Sequence, residues 1–238
     1  MSERGALRAE RAHAVHLDDV HLVIGERQIL HTMSLVFRPG EVTVVSGPSG
    51  SGKTSVLSIA GGLQRPTRGS ASYGELPMWQ GDGDPRPEVA FVLQVYGLVP
   101  ILSARENVAI ALRARGVPPA DANRSADEQL GRFHIGDLGD RQVEELSGGQ
   151  MQRVACARGF AVGADILLAD EPTSELDEGN REHVMAQLRA EADRGVVVVV
   201  ATHDPAVVAA ADRHVVMDAG VLTDRVEPAA RLTTEFGG

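Results

Sequence analysis

Val42-Thr43-Val44-Val45-Ser46-Gly47-Pro48-Ser49-Gly50-Ser51-Gly52-Lys53-Thr54 decides the fold. An apolar run predicts a short strand over 42–46. Gly47, Pro48, Ser49, Gly50, Ser51, Gly52, Lys53 and Thr54 then fit G-x-x-x-x-G-K-[ST] at every fixed position. Helical character over 53–61 completes a strand, loop, helix order. Glycines let the loop curl so that successive N–H groups point inward at a phosphate, and the helix that follows adds its N-terminal dipole. This motif assigns Lys53 to the β- and γ-phosphates of a nucleotide and Thr54 to Mg²⁺, with Ser55 beside them. A chance glycine-rich turn is a poor competitor, because a strand leads straight into it.

Outward from this stretch, 15–23 and 29–37 read as two strands around the turn Gly25-Glu26. The segment 69–80 reads as further sheet edge, 81–87 as a surface loop and 89–93 as a buried strand. From 97 to about 160 the pattern is helical and Ala-rich, broken at Gly116-Val117-Pro118-Pro119. Strands follow at 166–169, 196–201 and 214–217, with helices at 179–194 and 205–211. The tail after Asp224 has little pattern. Continuous apolar strands alternating with helices predict an α/β fold with a parallel sheet covered on both faces. A leader, 1–13, precedes one domain over 14–238.

Composition bounds the function. The chain has 238 residues, enough for one large domain, and 43% are hydrophobic, too many for a disordered chain. Aromatic residues make up 3%, so aliphatic side chains must fill the core. Lys and Arg number 23 against 33 Asp and Glu, for a net charge of -10. That balance lacks the global basic footprint of a nucleic-acid binder. Cys156 is the single cysteine, so no intrachain disulfide forms. The first residues carry no apolar signal segment. No apolar run is longer than the six residues of 196–201, far short of the roughly 20 that cross a bilayer. The expectation is a cytoplasmic protein; if it works at a membrane, another chain spans it.

Ile166-Leu167-Leu168-Ala169-Asp170-Glu171 is an apolar strand ending in two carboxylates. At such a strand end an Asp holds the metal of a phosphoryl-transfer site. Glu171, at the carboxyl edge of the sheet, is placed to polarise a water. Alone, two surface acids would explain the pair equally well; the glycine-rich loop upstream shifts the balance. Cys156 reads as a small core residue, and His13, His16, His21 and His31 lack metal-ligand spacing. Trp79 reads as cover for a sheet edge.

Leu146-Ser147-Gly148-Gly149-Gln150 resembles the LSGGQ signature of ABC ATPases, and it lies between the two elements above. Asp170-Glu171-Pro172-Thr173 and Ser174-Glu175-Leu176-Asp177 resemble that family's Walker B end and D-loop. Gln94 resembles its Q-loop glutamine, and Thr202-His203-Asp204 its switch histidine. The resemblance covers roughly 15–222. The resemblance implies a P-loop NTPase core with an N-terminal antiparallel β subdomain and an inserted helical signature subdomain. It implies ATP and Mg²⁺, with Thr54, Gln94 and Asp170 near the metal and Glu171 and His203 holding the attacking water. It implies that Ser147, Gly148, Gly149 and Gln150 cap the ATP of a second copy, in a head-to-tail dimer with two nucleotides sandwiched.

Phe91-Val92-Leu93-Gln94-Val95-Tyr96-Gly97-Leu98-Val99-Pro100 and Glu106-Asn107-Val108 resemble the subunits that drive lipoprotein release and macrolide export. That branch implies a transmembrane permease partner, so a peripheral place on the cytoplasmic face of the inner or plasma membrane. Tyr96 and Leu98 are candidates to face it. A related cell-division ATPase keeps a second reading open, transmembrane signalling without cargo. Chromosome-organising relatives need a long coiled coil before the signature, and 54–146 has no room for one. One departure concerns the base: the family stacks adenine on an aromatic ring before the first hairpin's glycine, and here Ile24 precedes Gly25. If Ile24 packs into the core instead, Tyr73 or a residue of a partner is an alternative cover.

Overall fold

The computed structural model describes residues 13–226 apart from 82. Nearly all of the expected leader, and the tail after 226, lie outside the described residues. Two sheets organise the chain. The first is antiparallel, with strand order β2-β1-β4-β5, from β1 (Val15–Ile24), β2 (Arg27–Phe37), β4 (Arg68–Tyr73) and β5 (Leu76–Pro77). The second has the order β10-β9-β3-β8-β7-β6, from β3 (Val42–Ser46), β6 (Val89–Val92), β7 (Ile166–Asp170), β8 (Val197–Ala201), β9 (Arg213–Asp218) and β10 (Val221–Val226). All pairs in it are parallel except β9 with β10.

Side-chain alternation along these strands builds two cores, one on each face of the sheet. Val42, Val44, Leu167, Ala169, Val198 and Val200 point into one, and Val45, Ile166, Leu168, Val197, Val199 and Ala201 into the other. The first is covered by α2 (Ala104–Arg113), α3 (Pro119–Arg132), α4 (Gly148–Ala161) and α5 (Glu178–Asp193). The second is covered by α1 (Lys53–Ala60) and the antiparallel sheet, through Val15, Leu17, Leu30 and Phe37. Strands buried on both faces must read as continuous apolar runs, which is what made them legible.

Three segments differ from the sequence reading. β10, which the sequence reading did not place, pairs antiparallel with β9 and runs two residues into the tail read as having little pattern. An edge strand has one neighbour and little apolar demand on its residues. Within 97–160 the helical pattern is interrupted by two 3₁₀ turns, Gly136–Leu138 and Val143–Glu145. Finally, 94–103 is not helical. Asn107, fully buried at the start of α2, holds it in place. Its side chain accepts from the Val99 amide at 2.7 Å and donates to the carbonyls of Val99, Leu102 and Ser103 at 3.1, 3.2 and 3.0 Å. One further helix, α6 (Pro205–Ala209), is capped by Asp204, and the ion pair of Arg189 with Asp212 ties α5 to the Val42 amide.

Candidate active site

The glycine-rich loop sits at the carboxyl end of β3, central in the parallel sheet, between its neighbours β8 and β9. Its shape depends on glycine at two points. Gly47 has φ 148, and a Cβ there would stand 2.1 Å from the Met217 carbonyl oxygen. Gly52 has φ 101 and would strike Leu30 at 2.6 Å. The loop is therefore clamped between β9 and β2, and α1 springs from it at Gly52 with no acidic residue in its first turn. Its free amides and positive dipole end face the loop.

Lys53, only 8% exposed, donates to the carbonyls of Gly47 and Pro48 at 2.8 and 3.0 Å. The buried Ser51 hydroxyl has no hydrogen-bond partner among the described residues. Thr54 Oγ1 donates to Asp170 Oδ2 at 2.6 Å. An ammonium, an unpaired buried hydroxyl, and a hydroxyl–carboxylate pair at one helix start suit a phosphate chain with a hard cation. Burial pushes the Asp170 carboxyl above its ordinary range; the Glu171 charge adds to this, while Thr54 and Lys53 oppose it. A bound cation would relieve that cost. Among the described residues no three His, Cys, Asp or Glu gather as a metal site, so hydroxyl and amide oxygens must complete any such set.

Glu171 follows with φ 47, its amide donating to the Ala201 carbonyl at 2.8 Å. This backbone turn swings the carboxylate onto the next strand's end. There Thr202 Oγ1 donates to Oε2 at 2.8 Å, and His203 Nδ1 meets Oε1 at 2.7 Å. The His203 side chain is 73% exposed and the Glu171 side chain 9%. One end of the pair is fixed in the protein and the other opens to the surface. Thr202 was not read from sequence as part of the site; its only signal was adjacency to His203. Gln94 lies in an exposed turn just past β6, beside β7, so it shares the carboxyl edge with Asp170. Among the described residues no hydrogen bond joins it to Thr54 or Asp170, which bond each other.

The signature segment opens α4. Ser147 is its N-cap, accepting from the Gln150 amide at 3.3 Å, while Gln150 Oε1 accepts from the Ser147 amide at 2.8 Å. Gln150 is thus engaged in capping its own helix. The amides of Gly148 and Gly149 remain at the helix start as an anion-binding end. The two halves line separate cavities. One of about 440 Å³ is lined by Ser46, Gly47, Pro48 and His203 among others. Another of about 350 Å³ is lined by Ser147, Gly149, Gln150 and Arg153 with the loop before α5.

Ile24 is 52% exposed at the tip of the β1–β2 hairpin, whereas Tyr73 is buried and packs edge-on against His13 at 5.6 Å. Tyr73 therefore offers no face to a base. Cys156 is fully buried, with its thiol pushed up to about 12 by desolvation.

A P-loop fold whose phosphate loop and signature helix line separate cavities is that of an ATP-hydrolysing cassette. The model of the ABC transporter family matches residues 30–174, more than half of the chain. An uncharacterised ABC transporter ATP-binding protein of Mycobacterium tuberculosis is 41% identical over 186 residues, 76% of this chain and 56% of that protein. The macrolide export ATP-binding/permease protein MacB of Nitrosomonas europaea is 40% identical over 207 residues, 84% of this chain and 31% of that protein. The chain thus spans about half or less of these relatives' lengths. The dimeric ATP-binding cassette MJ0796, solved in a post-hydrolysis state with ADP and Pi, superimposes with a TM-score of 0.84. It is 32% identical, with 90% of this chain and 98% of that chain covered. The chain belongs to the ABC transporter family, and its fold is that of the family's ATPase cassette.

Proposed function

We propose that this chain is a nucleotide-binding subunit that closes head-to-tail with a second copy around two ATP molecules and powers a membrane permease of the export or lipid-releasing type. Its extent is one cassette over 14–238, with the helical subdomain about 97–160. The observation that carries the reading is the Glu171 carboxylate held by Thr202 and His203 beside the Thr54–Asp170 pair. In this reading Gly47 to Ser55 cradle the phosphates, Lys53 neutralises their charge, and Thr54, Asp170 and Gln94 hold Mg²⁺. Mg²⁺ held there would supply neutralisation of the phosphate charge. Glu171 accepts a proton from the attacking water, which His203 helps to orient. Ser147, Gly148 and Gly149 complete the site of the second copy.

The permease reading draws on similarity to MacB and on the loop after Gln94. Val95 is 80% exposed and Ile101 79%, both on the segment that Asn107 pins. Among the described residues no helix is long and apolar enough to cross a membrane, so the spanning part is separate from them. Placement on the cytoplasmic face follows from this reading. Glu171→Gln tests it. The amide keeps the shape and loses the charge, so ATP binding should persist while hydrolysis falls by two orders of magnitude or more (about 10²–10⁴ for lost general-base catalysis). Turnover near wild type would refute the role of Glu171.

A further inference from the structure

The loop before α5 crosses the start of α4 in contact with it. A Cβ on Gly149 would stand 2.8 Å from the carbonyl oxygen of Glu175, and one on Gly148 would stand 3.1 Å from Glu175 Oε2. The two glycines therefore do more than expose amides; they let this loop lie on the helix end. The consequence is electrostatic. The first turn of α4 has no acidic residue of its own, and its positive end instead meets a carboxylate borrowed from across the fold. Arg153 and Asp177 line the same cavity, and among the described residues no hydrogen bond or ion pair fixes the Glu175 carboxylate. Its charge reaches Tyr96 on the loop after Gln94, where it adds to burial in raising the phenol above its ordinary value.

We propose that Glu175 is an intrachain brake on ATP-driven closure, a carboxylate lying where the second copy's γ-phosphate must arrive. The proposal rests on the head-to-tail reading above. Two negative groups then compete for one helix end, and closure has to displace Glu175 or bear the repulsion. Because Glu175 is exposed, the brake is sensitive to ionic strength, with screening over about 8 Å at physiological salt. It sets the ATP concentration at which copies pair, and leaves phosphate-loop binding in the monomer alone.

The test is an ATP–Mg²⁺ titration of dimer formation by analytical ultracentrifugation, using full-length Glu171→Gln protein with and without Glu175→Gln. Removing the charge at both composite sites should lower the ATP needed for half-maximal pairing by about three- to tenfold at low salt, since an exposed charge contact is worth roughly one- to fivefold per site. Raising salt to about 0.5 M should close most of that gap. Glu175→Asp, which keeps the charge, should stay near the parent. Equal midpoints for the Glu and Gln proteins, or a higher midpoint for Gln, would overturn the brake while leaving the dimer intact. If neither protein pairs with ATP at any concentration, the head-to-tail reading itself falls, and the brake with it.

Discussion

Glu171 combines a left-handed backbone, φ 47, with a nearly buried carboxylate. A non-glycine residue there costs about 1–2 kcal/mol, which the surrounding bonds must offset. Thr202 supplies one of those bonds and was invisible as a site residue because a threonine at a strand end has many structural uses. Thr202→Val keeps the shape and removes the donor. A hydrogen bond to a charged group is worth about 1.5–3 kcal/mol, so kcat should fall about tenfold or more with ATP affinity unchanged. Steady-state kinetics with a nucleotide-binding isotherm would check it; unchanged kcat would mean His203 alone positions the carboxylate. In the proposed site Ile24 stands exposed at the hairpin position expected to meet the base. Base stacking on an aromatic is worth about 1–3 kcal/mol relative to alanine. Isoleucine already offers apolar contact, so Ile24→Tyr should gain about 0.5–1 kcal/mol, or roughly two- to fivefold in ATP affinity by calorimetry. The GTP-to-ATP ratio should hardly move, because stacking reads a π-face. Unchanged or weaker ATP binding in a folded variant would place position 24 away from adenine.

At the scale of elements, α2 begins with a capping box between Ser103 and Glu106 and is locked to the preceding loop by Asn107. The periodic pattern around 97–160 announced helix, and it did not reveal that 94–103 would be an ordered non-helical stretch. Local propensity carries no record of a side chain reaching back eight residues to the Val99 amide. Asn107→Ala leaves that amide and three carbonyls to find new partners in a buried place. Each orphaned group costs about 1–3 kcal/mol, so urea unfolding should show a loss of about 2–4 kcal/mol overall after partial relaxation. Exposed Ile101 and Val99 should also become more susceptible to limited proteolysis. An unaltered unfolding midpoint would show that the loop holds itself. α4 offers the complementary case. Its start was legible from Ser147 to Gln150, yet the capping role of the Gln150 side chain emerged only once both ends of the box were seen in place.

At the scale of the whole molecule, the phosphate loop and the signature helix line different cavities of one chain. A shared site then predicts complementation between copies. Lys53→Ala and Ser147→Arg should each be inactive alone, and their mixture should recover part of the wild-type rate, because one composite site in each mixed dimer keeps both residues. No recovery, with mixed dimers present by crosslinking, would argue that both sites must be intact at once. The sequence by itself determined the parallel sheet, the phosphate loop, the two acids after β7 and the signature, since each is a local pattern imposed by burial on two faces or by glycine geometry. It also determined the order of these motifs along the chain. Only the tertiary structure decided which side chains meet: Thr202 and His203 on Glu171, Thr54 on Asp170, Asn107 on its loop, and Glu175 against Gly148. It also decided that Tyr73 is core and that β10 closes the sheet edge. The reason is physical. Strand and helix periods are written in neighbouring residues, whereas these contacts join positions as much as 116 residues apart and exist only after the chain has packed.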